Sequence, residues 1–267
     1  MKFYKYQSVG NDFVLLDWMD RSDREVNDEI AASDWSSWVK TICNRRLGVG
    51  ADGLLIVKSN DQQPEVLMFN ADGSQAQRCF NGLRCAASFL YGQKKFSKQF
   101  EIIMQQSINC QILSNNLITI NVGKANYHKE HQIQIADKLL QGHIVSIGNP
   151  HFVILEKISL DWLRTHGNEI ENYIDFPERT NVEFVWPGKS NLVYHALVYE
   201  RGCGITQACG TGAAAIMQTL YRLRKISKEQ EITLNMPGGE IKSYLGADGS
   251  IIQTAPAMMV YVSSILE

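Results

Sequence analysis

The 267-residue chain contains no run approaching the ~20 consecutive apolar residues that a membrane span requires. Nor does it carry a charge surplus: 26 Lys and Arg against 28 Asp and Glu give a formal net charge of −2. Nucleic-acid binding by counterion release needs a basic surface, so that partner class is disfavoured, and no membrane partner is expected. Apolar residues make up 45% of the chain, which together with the small net charge excludes intrinsic disorder. Proline is scarce, at six residues, so domain boundaries have to be found without Pro-rich linkers. The opening MKFYKYQSVGNDF has neither the apolar stretch nor the small-residue cleavage site of a signal peptide. That predicts a cytoplasmic chain, in a reducing compartment where structural disulfides are rare.

Against that background the six cysteines need an explanation: Cys43, Cys79, Cys85, Cys110, Cys203 and Cys209. An even number permits a disulfide framework, but the expected compartment argues against one. Each is then either a small buried hydrophobe or a reactive thiol. At roughly 150 residues per domain, the length favours two modest domains.

Short β-branched or aromatic runs bounded by turn residues predict strands at 13–17, 54–58, 65–69, 100–104, 117–122, 191–200, 231–236, 240–245 and 258–266. ILSNNLITI reads as a hairpin around Asn115-Asn116. Helices are expected at about 34–46, capped by Ser33 or Asp34, at 81–92, from Ser159 through LDWLRTH, and at 211–223. CFNGLRCAASFLY (79–91) is echoed by CGTGAAAIMQTLY (209–221), and NDFVLLD (11–17) by PHFVILE (150–156). Both echoes keep their order about half a chain apart, which predicts an internal duplication. The fold class expected is α+β, with two similar strand-rich domains. The first covers 1–114 and the second 115–254, and the boundary falls in the polar SNN turn.

The duplication sets one cysteine ahead of each of two helices. Unsatisfied N–H groups in a first helical turn stabilise negative charge, either a thiolate or a bound carboxylate. Two thiols facing one another across a cleft could invert a carbon centre without a cofactor. One would remove a proton and the other return one to the opposite face. As isolated motifs, the Asn-rich turns FNADGS and GNPH suit local backbone bonding equally well, and Glu200-Arg201 could be a local ion pair.

The chain resembles the diaminopimelate epimerase family. The resemblance lies in KYQSVGNDFVLLD (5–17), GVGADGLLIV (48–57), FNADGSQAQRCFNGLRCAA (69–87), SIGNPHFVI (146–154), PERTNVEF (177–184), YERGCGITQACGTGA (199–213) and MPGGE (236–240). It implies barrel-like halves, each around a central helix, with an active site between them and a last strand, 255–267, returning to the first half. It also implies a cofactor-independent, metal-free isomerase of lysine and peptidoglycan-precursor synthesis that acts on an amino acid and is commonly a homodimer. Cys79 and Cys209 would be the two acid/base thiols, with His151 and Glu200 as polar partners handling protons nearby. Asn70, Asn149, Asn181 and Arg201 would hold the distal end of the substrate, with Asn11 also lining the pocket. The amides at Phe80-Asn81 and Gly210-Thr211 would bind the carboxylate beside the reacting carbon. Asp12 and Asp72 are expected to be turn or cap residues. Two departures bear on specificity: Phe80 replaces a usual Gly, and Ile205 a usual Glu; Cys203 stands where Ala is frequent. The alternatives are a pyridoxal-free racemase for another polar amino acid such as histidine, and a catalytically silent amino-acid-binding protein.

Overall fold

Alternating burial along β-branched segments builds the sheets, and two Ala-rich segments build the helices at their centres. A computed structural model describes every residue apart from 33, 61–62, 77, 95, 114–115 and 266–267. The expected Ser33 cap, the Asn115 turn position and the boundary between 114 and 115 therefore lie outside the described residues. The described chain divides into two compact units, Met1–Ile120 with Ala255–Glu267, and Asn121–Thr254.

The first unit contains β1 (Lys2–Ser8), β2 (Asn11–Trp18), α1 (Asp23–Ala31), α2 (Trp35–Cys43), β3 (Gly53–Asn60), β4 (Gln63–Asn70), α3 (Phe80–Gly92), β5 (Gln99–Met104), β6 (Gln106–Ile112) and most of β7 (Leu117–Gly123). The second contains β8 (Asn126–Ile135), β9 (Lys138–Ser146), β10 (Pro150–Ile154), α4 (Leu160–Glu171), β11 (Asn181–Pro187), β12 (Val193–Glu200), β13 (Gly204–Thr206), α5 (Gly210–Arg222), β14 (Ile232–Met236), β15 (Gly239–Leu245) and most of β16 (Ile251–Pro256). The last strand, β17 (Met258–Ser264), pairs with β1 in the first unit.

The two units repeat one pairing scheme. In the first, β17, β1, β2, β3, β4, β5, β6 and β7 are successive neighbours; only the β2–β3 and β4–β5 pairs are parallel. In the second, β8, β9, β10, β11, β12, β14, β15 and β16 follow one another, and the parallel pairs are β10–β11 and β12–β14. Helical crossovers span the first parallel pair of each: α1 and α2 in one unit, α4 in the other. Buried residues number ten of 13 in both α3 and α5, as expected of helices enclosed by their sheets. The fold is thus the expected strand-rich, two-domain α+β arrangement. Among the described residues, no helix is long and apolar enough to cross a membrane.

The sequence echo in β2 and β10 is one residue out of structural phase. A Cβ added to Gly82 of α3 would lie 3.5 Å from Phe13, whereas Phe152 packs with Leu163 and Ile170 of α4. Successive strand residues point to opposite faces, so the counterpart of Phe152 is Val14, which packs with Val26 and Trp35 on the crossover side. α2 ends at Cys43, short of the expected 46, because Asn44 leaves the helix at ψ 122°. Helix α1 was not anticipated: only Val26 is buried along it, so its apolar stripe is faint. Its signal was Ser22 with Glu25, a complete capping box.

Candidate active site

Each central helix begins with a cysteine. Cys79 is the N-cap of α3 and Cys209 that of α5, both in extended backbone. Their sulfurs accept the third-residue N–H groups, from Gly82 at 3.4 Å and from Gly212 at 3.3 Å. Sulfur thus takes the place that a Ser or Asp oxygen fills in an ordinary cap, and it stands at the positive end of the helix dipole. Phe80-Asn81 and Gly210-Thr211 supply the first two residues of the respective helices. None of the six cysteines is disulfide-bonded.

In the first unit, the Cys79 thiol lies 3.7 Å from Asn11 Oδ1, which also faces the side-chain amide of Asn81 at 3.5 Å. Asn11 in turn donates to Asp52 at 2.7 Å. Asn70, at the end of β4, donates to Ser74 at 3.0 Å. Asp72 is a turn residue accepting from the Ser74 amide and hydroxyl, as expected. Asp12 has another role: it bridges Lys5 and Arg45, each at 2.6 Å. Burial works against its charge, but the bonds and charges of Arg45 and Lys5 prevail and hold the carboxyl at about 2, against an ordinary 3.8. A depressed value means stability that is complete above pH ~4 and lost as pH falls toward 2. Asp12→Asn should therefore cost on the order of 1 kcal/mol at pH 7, after allowance for solvent screening, and almost nothing at pH 2. Thermal unfolding at the two pH values measures this; an equal cost at both would assign the effect to packing.

The second unit gathers more titratable groups. His151, completely buried on β10, places Nδ1 2.7 Å from Glu183 Oε1 and Nε2 3.1 Å from Asn149 Oδ1. Glu200 accepts from the Thr206 hydroxyl at 2.5 Å and from the Cys209 thiol. Burial raises the Glu200 carboxyl above its usual range, and the charge of Glu183 adds to the rise. Burial also pushes the Cys209 thiol well up, reinforced by the charges of Glu200 and Glu183, while Thr211, 3.2 Å from the sulfur, opposes the shift. Asn181 donates to Pro150 O at 2.8 Å and accepts the Arg201 amide at 3.0 Å. Arg201 reaches Glu178 O at 2.9 Å, and among the described residues no ion pair joins it to Glu200. Of the expected site residues, Cys79, Asn11 and Asn81 meet in the first unit, and in the second His151 meets Asn149 and Asn181 meets Arg201. The sequence reading left Glu183 out, and its signal is a carboxylate inside the otherwise apolar run VEFVW.

Both departures are absorbed locally. Phe80 is buried at the start of α3 and is absent from the residues with positive φ, so the exchange for Gly costs no backbone strain and keeps the amide. Ile205, on β13, packs against the core cluster that holds Leu163 and Phe184. An apolar contact stands there in place of a carboxylate's bonds.

Solved structures share this fold. A phenazine biosynthesis protein of the PhzF family from Bacillus anthracis aligns at TM-score 0.77 with 12% identity, over 100% of this chain and 99% of that one. A hydroxyproline epimerase from Agrobacterium vitis aligns at 0.72 with 10% identity, over 98% and 91%. The fold is therefore one used by epimerases. The chain itself belongs to the diaminopimelate epimerase family, whose model matches residues 3–128 and 143–260. Diaminopimelate epimerases of Gloeothece citriformis and Elusimicrobium minutum are 31% and 33% identical over 98% of this chain, and the matches span 97% and 98% of those proteins. It is an enzyme, an isomerase.

Proposed function

We propose that the chain performs its family's reaction, interconversion of LL- and meso-diaminopimelate, by proton transfer between Cys79 and Cys209. One thiolate takes the α-proton and the other thiol returns a proton to the opposite face, so no cofactor is consumed. The observation that carries this reading is the duplicated cap: two helices, each opened by a cysteine whose sulfur accepts the third-residue N–H. In the proposed division of labour, the halves 1–114 with 255–267, and 115–254, each present one thiol. The amides at Phe80-Asn81 and Gly210-Thr211 grip the carboxylate that gains enolate character, as preorganised donors do. Asn11, Asn70, Asn149, Asn181 and Arg201 take the distal amino and carboxylate groups, with Arg suited to a bidentate carboxylate contact. His151 and Glu200 exchange protons with the thiols. Reduced protein in deuterium oxide, without pyridoxal phosphate or added metal, should form the meso isomer from LL-diaminopimelate with deuterium at the inverted carbon. Product lacking deuterium would remove the two-base mechanism.

The chain is read as cytoplasmic, where both thiols stay reduced, and as a homodimer. Strand β17 supports the dimer. Met258, Met259, Val260, Tyr261 and Val262 are 41–57% exposed along an apolar edge, an arrangement that seeks a partner strand. Val260→Glu combined with Val262→Glu should convert a sedimenting dimer into a monomer. A wild-type chain that sediments as a monomer at micromolar concentration would end this reading.

A further inference from the structure

Comparison of the two units isolates one feature that the fold does not require. The third residue of each central helix is a glycine pressed against the neighbouring sheet. In the first unit, a Cβ at Gly82 would meet Leu55 at 3.0 Å, Met68 Sδ at 3.2 Å and Phe13 at 3.5 Å, all apolar. In the second, a Cβ at Gly212 would meet Glu183 Oε1 at 2.7 Å. The strand registers make these places equivalent. Leu55 and Glu183 each face the third-residue glycine of their helix; Leu55 pairs with Leu15 and Glu183 with Val153, so Phe13, two residues before Leu15, corresponds to His151, two before Val153. The duplicated architecture thus builds the same helix seat with Phe and Leu in one half and with a hydrogen-bonded His and Glu in the other. Both polar residues are completely buried. A buried carboxylate costs stability unless it is well paired, and Glu183 Oε2 has no hydrogen-bond partner among the described residues. An apolar pair serves the fold equally well in the first unit, so the polar pair answers to a different demand.

We infer that Glu183 is a positioning residue for the reaction: it fixes the His151 ring with Nδ1–H directed at its own carboxylate and leaves Nε2, beside Asn149, as the nitrogen that exchanges protons. This inference rests on the role proposed above for His151. The geometry accounts for each part. The 2.7 Å contact is a charge-assisted hydrogen bond, which sets the ring's orientation and tautomer. With a proton on each nitrogen the ring donates to both Glu183 Oε1 and Asn149 Oδ1, and when Nε2 gives up its proton the Asn149 amide has to turn its N–H toward that nitrogen to keep the contact. Three residues after the thiol, Gly212 lacks a Cβ, which gives the carboxylate room against the first turn of α5.

The test uses the full-length chain labelled with 15N-histidine. The His151 signals are assigned by their loss in His151→Gln, and two-bond 1H–15N correlations read which nitrogen carries the proton. Wild type should show a protonated Nδ1 for His151. Glu183→Leu, which copies one of the first unit's two apolar residues and leaves His151 Nδ1 without its partner, should lower the melting temperature by a few degrees, change the His151 nitrogen pattern and lower kcat at least tenfold with KM within about threefold. Glu183→Asp should restore the nitrogen pattern and part of kcat. If Glu183→Leu does not fold, Glu183→Gln takes its place, with the same spectral change expected. An unchanged His151 spectrum in a folded variant, or a kcat within twofold of wild type, overturns the inference. The outcome is separable from the two-thiol reading, because the nitrogen spectrum is recorded without substrate. A fully active Cys79→Ser enzyme would sink that reading and leave the spectrum informative.

Discussion

Replacing either Cys79 or Cys209 by serine should slow epimerisation roughly 10³-fold while leaving the fold intact. A positioned acid or base contributes about 10²–10⁴ in rate, and each variant removes one of the two. Serine preserves the shape and still caps its helix, since a hydroxyl oxygen accepts the Gly82 or Gly212 amide at least as well as sulfur does. What it loses is acidity: a thiol with an ordinary pKa of ~8.5 can exchange its proton with an activated α-carbon, and an alcohol cannot do so at a useful rate. The two variants should differ in their residual behaviour. Cys209 is buried among Glu200 and Glu183, which hold it as the thiol. Cys79 is partly exposed, beside Asn11 and Asn81. A thiol-directed alkylating agent should therefore label Cys79 of the substrate-free enzyme ahead of Cys209, with loss of activity tracking the Cys79 label in a peptide map. Melting temperatures within a few degrees of wild type keep the comparison honest. Full activity in either serine variant would show that the pairing is wrong.

Why the thiols were legible in the sequence while Glu183 was not follows from what each motif repeats. The caps occur twice, in CFNGLRC and CGTGAAA, and a doubled arrangement of Cys, turn and Ala-rich segment stands out from chance. Glu183 has no polar twin, because its counterpart is Leu55, so no internal comparison of sequence could mark it. The echo of NDFVLLD in PHFVILE is out of phase, since matching Phe13 to Phe152 sets residues of opposite strand faces side by side. Phase in a strand is the face each residue presents, and that is fixed only by packing, Phe13 against α3 and Phe152 against α4. Asn181 shows a similar limit. Its position in PERTNVEF was read as substrate-binding, yet in the folded chain its side chain also ties Pro150 to Arg201, which ends β12 in the right place for Glu200. Helix α1 escaped because one buried residue makes no period. The central helices were clear because burial all round demands small and apolar residues over 13 positions.

The same broken symmetry predicts opposite outcomes for two substitutions that look alike in sequence, Gly82→Ala and Gly212→Ala. Alanine in a helix is favoured over glycine by about 0.8–1.0 kcal/mol. At Gly82 the new methyl would meet Leu55 Cδ2 at 3.0 Å and Met68 Sδ at 3.2 Å, the movable ends of flexible apolar side chains. Their small displacement offsets the helical gain, so stability should change by less than ~1 kcal/mol and activity by a few-fold at most. At Gly212 the methyl would come within 2.7 Å of Glu183 Oε1 and 3.2 Å of its Cδ. That oxygen is held by His151, so the carboxylate has to turn away from the ring or the start of α5 has to shift. Either movement places an apolar group against a buried carboxylate and leaves a lost charge-assisted bond, which should cost about 1–3 kcal/mol. A shift of the helix start also moves the Gly212 amide that donates to the Cys209 sulfur. Gly212→Ala should consequently lower kcat by well over tenfold, whereas Gly82→Ala stays near wild type. Parallel steady-state assays and thermal melts of the two variants measure the contrast. Equal, mild effects would mean that the second helix seat yields as easily as the first, and that its polar pair is not held in place.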